Sequence, residues 1–237
     1  MTGTLLNVCA ILIGGGAGLL FGARLPERLR ESAIWAMALF VFALGVKMTL
    51  QSQNALITMG SVLLGGLLGE WWRIDAAVER AGGWLEARVA HNTTVEGTAR
   101  FIKGFVSASL LFCVGPMAIL GAIDNGLRGS VQVLAVKSLI DGVAAMAFAA
   151  SLGEGVLFSA LPVLVYQGGL SLLAAQAQAV LTTPMTAELT AAGGLLLMGI
   201  AISMLELRAI RVANYLPALA VAPLIVAALR ALGVAGF

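Results

Sequence analysis

Hydrophobic positions fall into eight long runs separated by short polar punctuation. They lie at about 4–22, 33–50, 55–72, 98–123, 130–151, 155–176, 185–205 and 212–233. Each approaches the ~20 apolar residues a helix needs to cross a bilayer. The runs are rich in Leu, Ala and Gly, without the period-two alternation of strands or of an outer-membrane barrel. The pattern predicts an all-α fold, a polytopic bundle of about eight transmembrane helices in a single integral membrane domain over 1–237.

The punctuation carries its own signals. Pro26 within "RLPERLRES" marks the exit of span 1. Thr93 with Glu96 three residues on fits a capping box that starts span 4. "DNG" (Asp124, Asn125, Gly126) reads as a turn between spans 4 and 5, and "SLGEG" as a turn between spans 5 and 6. Thr183 before Pro184 fits the cap and first position of span 7. Near 73–90 the pattern changes. Ile74, Val78, Ala81, Leu85 and Val89 share one helical face, and charges lie away from it. This reads as an amphipathic helix along the cytoplasmic interface, with a solvated loop helix as the plainer alternative.

Arginines set the orientation. Arg24, Arg28 and Arg30, then Arg73, Arg80, Arg88 and Arg100, then Arg208 and Arg211 fall in connections that share one side if there are eight spans. By the positive-inside rule that side is the cytoplasm, and both termini are periplasmic. The N-terminal run lacks a basic lead-in and reads as span 1, not as a cleaved signal.

Composition agrees. The chain is 60% hydrophobic and 11% charged, against about half and a quarter in soluble domains. A net charge of +2 gives no case for a nucleic-acid partner. Cys9 and Cys113 sit in apolar runs and read as packing residues. The single histidine, His91, lies in a polar loop. Neither a metal site nor a cofactor is expected. Asn92-Thr93-Thr94 fits a glycosylation sequon but falls in a loop assigned to the cytoplasm.

Two stretches echo each other. "LIGGGAGLL" from Leu12 matches "VYQGGLSLL" from Val165 at its paired glycines, and "LFVFALGVKM" matches "LLLMGIAISM" at Gly45 and Gly199. Spans 1–3 would then correspond to spans 6–8 as an inverted repeat, an arrangement typical of secondary transporters. Chance similarity among Gly- and Leu-rich helices is the plainer explanation.

Several polar or helix-breaking residues fall at mid-span. Gly115-Pro116 should break or kink span 4, because proline removes a donor and clashes with the preceding turn. The freed carbonyls must meet protein, water or a solute; a packing kink is the plainer reading. In span 5, Lys137 and Asp141 stand four apart and share a face. A lone charge at mid-membrane costs about 2.5–3.5 kcal/mol on insertion scales, and a pair lowers that cost. The pair reads either as a packing device or as a polar lining, with Ser138 on a nearby face. Span 6 adds Tyr166, Gln167 and Gly168 at similar depth. Glu70, Glu154, Glu188 and Glu206 lie near span ends and read as interfacial, and Lys47 can snorkel.

At these residues the chain resembles a known family. "GFVSASLLFCVGPMAILGAIDNGLRG", "KSLIDG", "LGEGVLFSALPVLVYQGG" and "VANYLPAL" resemble the YqgA/YdfK-like bacterial inner-membrane proteins, domain of unknown function 554. The resemblance covers nearly the whole chain and is strongest from Gly104 to Gly169. It implies a bacterial inner-membrane location and a transport role without an assigned substrate. Its characteristic stretches fall here on Cys113, Gly115, Pro116, Asp124, Gly126, Lys137, Ser138, Asp141, Gly142, Tyr166, Gln167 and Gly168. Where the family often carries a "QDG" turn, this chain carries "DNG".

The leading expectation is a transporter or channel for a small polar or ionic solute. Its mid-membrane site would lie between spans 4, 5 and 6, lined by Cys113, Gly115, Pro116, Lys137, Ser138, Asp141, Tyr166, Gln167 and Gly168, with Asp124 and Asn125 at a turn nearby. A scaffold or regulator without transport is the alternative. An enzyme is expected less, since no nucleophile–base or metal motif is present, although a Lys–Asp pair can do acid–base work. Expected partners are the lipid bilayer, the solute and a second copy in a homodimer, given glycine-rich faces on spans 1, 3 and 7.

Overall fold

The computed structural model describes residues 1–22, 26–78, 80, 84, 95–113 and 116–233. Among them every regular element is helical. In chain order these are α1 (Thr2–Gly22), α2 (Glu27–Thr49), α3 (Ala55–Trp72), α4 (Val95–Cys113), α5 (Pro116–Arg128), α6 (Gln132–Leu152), the short α7 (Gly155–Phe158), α8 (Ala160–Leu172), α9 (Ala174–Val180), α10 (Thr183–Met204) and α11 (Ala218–Ala231). A 3₁₀ turn at Val212–Tyr215 precedes α11, and 74–78 is helical. The rest of the expected interfacial helix near 73–90, apart from Arg80 and Trp84, lies outside the described residues. So do Thr93 of the expected capping box, the Asn92 sequon and Gly115.

Among the described residues, seven helices are long and apolar enough to cross a membrane. The eighth expected span is a bent pair: α4 and α5 pass the same test together and meet at 58°, on either side of 114–115. Proline at the first position of α5 suits this, because a helix can begin at a residue without an N–H but cannot run through one. The polytopic helical bundle read from the hydrophobic pattern is therefore the observed one.

The chain divides into two compact units. The first holds Met1–Met37, Val78–Cys113 and Met117–Ala177, which include α1, α4 to α8 and the start of α2. Its axis is the close pair α1 and α6. A Cβ on Gly14 would fall on the carbonyl of Gly142, one on Gly18 on the carbonyl of Met146, and one on Gly22 would stand 2.6 Å from the Ala150 oxygen. Small residues every fourth position let two backbones touch, which is how helices gain contact where solvent cannot drive them together. The order of these contacts shows α1 and α6 running parallel. Two helices run parallel across a bilayer only when an odd number of crossings separates them. That parallel order agrees with the bent α4–α5 pair crossing as one broken span, the eighth expected from the hydrophobic pattern. The α7–α8 span packs antiparallel to α1, with Gly15 against Leu157 and Thr4 against Gln167.

Gly18→Ala is expected to lower stability by about 1–3 kcal/mol, since the Met146 carbonyl is backbone and cannot yield. Gly16→Ala, which faces open space, should leave stability level or slightly raised. Thermal denaturation of the two variants in detergent checks this; equal midpoints would contradict the packing.

The second unit holds Ala38–Ala77, Val114–Pro116 and Gln178–Phe237. Here α3 packs antiparallel on the 3₁₀ turn and α11, with Gly65 against Ala218 and Gly69 against Asn214. Gly45 of α2 and Gly194 of α10 face each other so closely that a Cβ on either would come within 2.7 Å of the other's carbonyl oxygen. The glycine faces on α1, α3 and α10 thus meet partners within the chain. Trp71 and Trp72 stand exposed at the end of α3, where amphipathic rings favour a membrane–water interface.

Two expected boundaries move. Asp124, Asn125 and Gly126 are helical, within α5, and the turn comes at Gly129, whose φ of 69° places it in the left-handed region. The turn signal is overridden by packing. Asn125 is buried and donates to the Ser130 carbonyl (3.1 Å), and Gly126 lies where a Cβ would strike the Ser171 carbonyl. At α10 the N-cap is Thr182 and not Thr183, one residue earlier than expected.

Candidate functional site

Within the first unit, buried polar side chains from α1, α6 and α8 form one network. Lys137 and Asp141 share a face of α6 and form an ion pair through Asp141 Oδ2, with both side chains 8% exposed. Asn7 of α1 donates from Nδ2 to Asp141 Oδ2 (2.9 Å) and to Gln167 Oε1 of α8 (3.2 Å). Gln167 Nε2 in turn donates to Thr4 Oγ1 (3.4 Å). Thr4, Asn7 and Gln167 are all but fully buried. The carboxylate fixes the amide's orientation, because only the nitrogen of Asn7 can bond it. The Asn7 oxygen is left buried with no hydrogen-bond partner.

The depth follows from helix rise. Asn7 and Lys137 each stand five residues past the start of α1 and α6, about 7.5 Å along the axis, and Asp141 about 13.5 Å. Gln167 lies five residues before the end of α8. The network therefore sits in the half of the unit nearer the start of α1, with only Asp141 approaching the midpoint.

The other sequence-selected residues divide. Ser138 is buried, but its hydroxyl bonds the Leu134 carbonyl of its own helix (2.6 Å) and does not join the network. Gly168 packs beside Met1 and Thr4. Cys113, the last residue of α4, lies within electrostatic reach of Lys137 and Asp141, and Tyr166 within reach of Cys113. Pro116 opens α5 across the bend. Asp124 pairs with Arg128 (3.6 Å) at the surface, and Asn125 Oδ1 accepts from the amino group of Met1 (2.8 Å). Among the described residues no three His, Cys, Asp or Glu side chains cluster as metal ligands would.

Residues 2–227 match the family described as "Protein of unknown function (DUF554)". The chain belongs to the DUF554 family. It is 33% identical over 220 residues to "Uncharacterized protein YqgA" of Escherichia coli (strain K12), covering 93% of this chain and 94% of that one. It is 27% identical over 237 residues to "Uncharacterized membrane protein YdfK" of Bacillus subtilis (strain 168), covering 98% and 99%. No solved structure matches. Family and helices together make this DUF554 chain a membrane protein.

The second unit of the DUF554 chain holds a further buried polar site. Glu188, near a span end as expected, is not solvent-facing but 0% exposed. Its Oε1 accepts the backbone N–H groups of Gln53 (2.7 Å) and Asn54 (2.9 Å), and its Oε2 accepts the hydroxyls of Ser52 (2.9 Å) and Thr58 (2.6 Å). Asn54 is the N-cap of α3, its side chain accepting from Leu56 N (3.0 Å). The carboxylate thus sits at a helix N-terminus, where free N–H groups and the helix dipole favour negative charge. No cation bonds it among the described residues. Its donors lie some 130 residues away along the chain, so sequence spacing around Glu188 could not reveal them. The available signal was a carboxylate placed after "TTP", one turn inside a span, together with the polar "QSQN" connection opposite.

Proposed function

We infer that this DUF554 protein is a transporter or channel for a small polar or ionic solute in the bacterial inner membrane, and not an enzyme. The observation that carries the reading is the network of Thr4, Asn7, Lys137, Asp141 and Gln167, buried among membrane-crossing helices with capacity left unused. A pair that only fixed packing would need neither two further amides nor a buried acceptor without a donor, since such an atom costs about 1–3 kcal/mol. Ionisable residues at this depth line substrate and ion paths by default. Cys113, the last residue of α4 before the bend, belongs to the same unit as the network.

The arginine distribution supports periplasmic termini, which puts the network toward the periplasmic side. An inverted repeat of spans 1–3 and 6–8 is supported by three contacts. α1 packs against α8, α2 against α10 through Gly45 and Gly194, and α3 against α11. Each pair runs antiparallel, as members related by an axis in the membrane plane must.

Reconstituted protein on a solid-supported membrane, challenged with gradients of protons, monovalent cations and small anions, tests the transport reading. Wild-type currents that Lys137→Met with Asp141→Leu abolishes are expected. Currents of equal size in the double variant, or none in the wild type with any solute, would contradict it.

A further inference from the structure

Lys137 is an under-bonded cation. An ammonium carries three donors, and among the described residues this one donates only to Asp141. The rest of the network is held without its help. Asn7 bonds the carboxylate directly, Gln167 bonds Asn7, and Thr4 bonds Gln167. The backbones that carry Asn7 and Asp141 touch at Gly14 and Gly142, so the two side chains hang from a rigid helix pair. One oxygen, Asn7 Oδ1, is fully buried and receives nothing. No hydrogen bond reaches Asp141 Oδ1 either among the described residues.

One carboxylate with several neutral oxygens is the donor set that hard cations take. The single negative charge matches one positive charge and not two. We propose that Asp141, with the oxygens of Asn7, Gln167 and Thr4, forms a binding site for a desolvated monovalent cation, and that Lys137 fills it here as a tethered substitute. Cation entry displaces the ammonium and leaves the carboxylate neutralised, so the buried charge stays balanced at every stage. The displaced lysine has somewhere to go. It stands about 7.5 Å from the start of α6, within the distance over which lysine stems carry their charge to an interface. The inference deepens the transport reading and rests on it for its place in a cycle.

The test uses the full chain in detergent, with recovery of folded protein and thermal denaturation measured in sodium, potassium, lithium and choline chloride at equal ionic strength. Lys137→Met vacates the site and leaves the carboxylate. Its midpoint is expected to rise by about 5 °C or more in at least one small-cation salt over choline. Adding Asp141→Asn to Lys137→Met should abolish that difference, and adding Asn7→Ala should shrink it. Equal midpoints of Lys137→Met in all four salts, or recovery of it in none, would overturn the proposal. Cation-dependent stability without flux in the wild type would instead overturn the transport reading. Wild-type flux beside a cation-insensitive Lys137→Met would overturn the site alone.

Discussion

Lys137→Met in choline chloride should cost about 3–5 kcal/mol, the loss that follows when one member of a buried ion pair is removed. For a chain of this length that lowers the denaturation midpoint by about 10 °C. The double change Lys137→Met with Asp141→Leu should recover most of the loss, because apolar replacements leave no buried charge. Asp141→Leu alone should fall between them. The asymmetry comes from reach. Aspartate is short, is pinned by Asn7 and lies some nine residues into α6, whereas the lysine stem can carry its charge toward the interface. Thermal denaturation of the three variants side by side gives the order. A Lys137→Met variant as stable as the double variant in choline would mean that the pair does not hold two charges in a dry place.

Glu188→Ala should be comparably severe, by a different cause. It removes the acceptor of two backbone N–H groups and two hydroxyls, a carboxylate that is itself 0% exposed. The hydroxyls can re-pair, since Thr58 already stands 2.8 Å from Ser52, but the amides of Gln53 and Asn54 have no second protein acceptor among the described residues. Each stranded donor costs about 1–3 kcal/mol, so a loss of about 2–6 kcal/mol is expected. Glu188→Gln should fall well short of that, because its oxygen can keep the two N–H groups while its amide nitrogen donates to the Ser52 and Thr58 hydroxyls, which can accept. Faster hydrogen exchange at 53–56 should accompany the loss in Glu188→Ala. A wild-type midpoint for Glu188→Ala would show that the connection between α2 and α3 does not depend on the carboxylate.

The spans were legible because a bilayer imposes length and apolarity on each helix separately, with no tertiary partner needed. The expected 55–72 is α3 as observed, and the others shift by a few residues. The broken span was legible from Pro116, because what proline does to a helix is local. Lys137 and Asp141 were legible as a pair because four residues along a helix fix their separation. Beyond that reach the sequence is silent. Asn7 looks like a polar residue near the start of an apolar run, and only the parallel packing of α1 on α6 brings it to a carboxylate 134 residues away. Glu188 is the same case. "DNG" failed for the converse reason. Its glycine serves a close approach to Ser171 and its asparagine a buried bond, so tertiary contacts kept a turn-like tripeptide helical.

The central claim is that the Asn7–Asp141 region is an occupied or fillable site and not a dry contact. A high-resolution structure of the Lys137→Met variant, which vacates the site, in a lipid nanodisc prepared with a small monovalent cation present tests it most directly. Non-protein density within bonding distance of Asn7 Oδ1 and the Asp141 carboxylate is the result expected. Side chains closed over both oxygens, with no density between them, would contradict it.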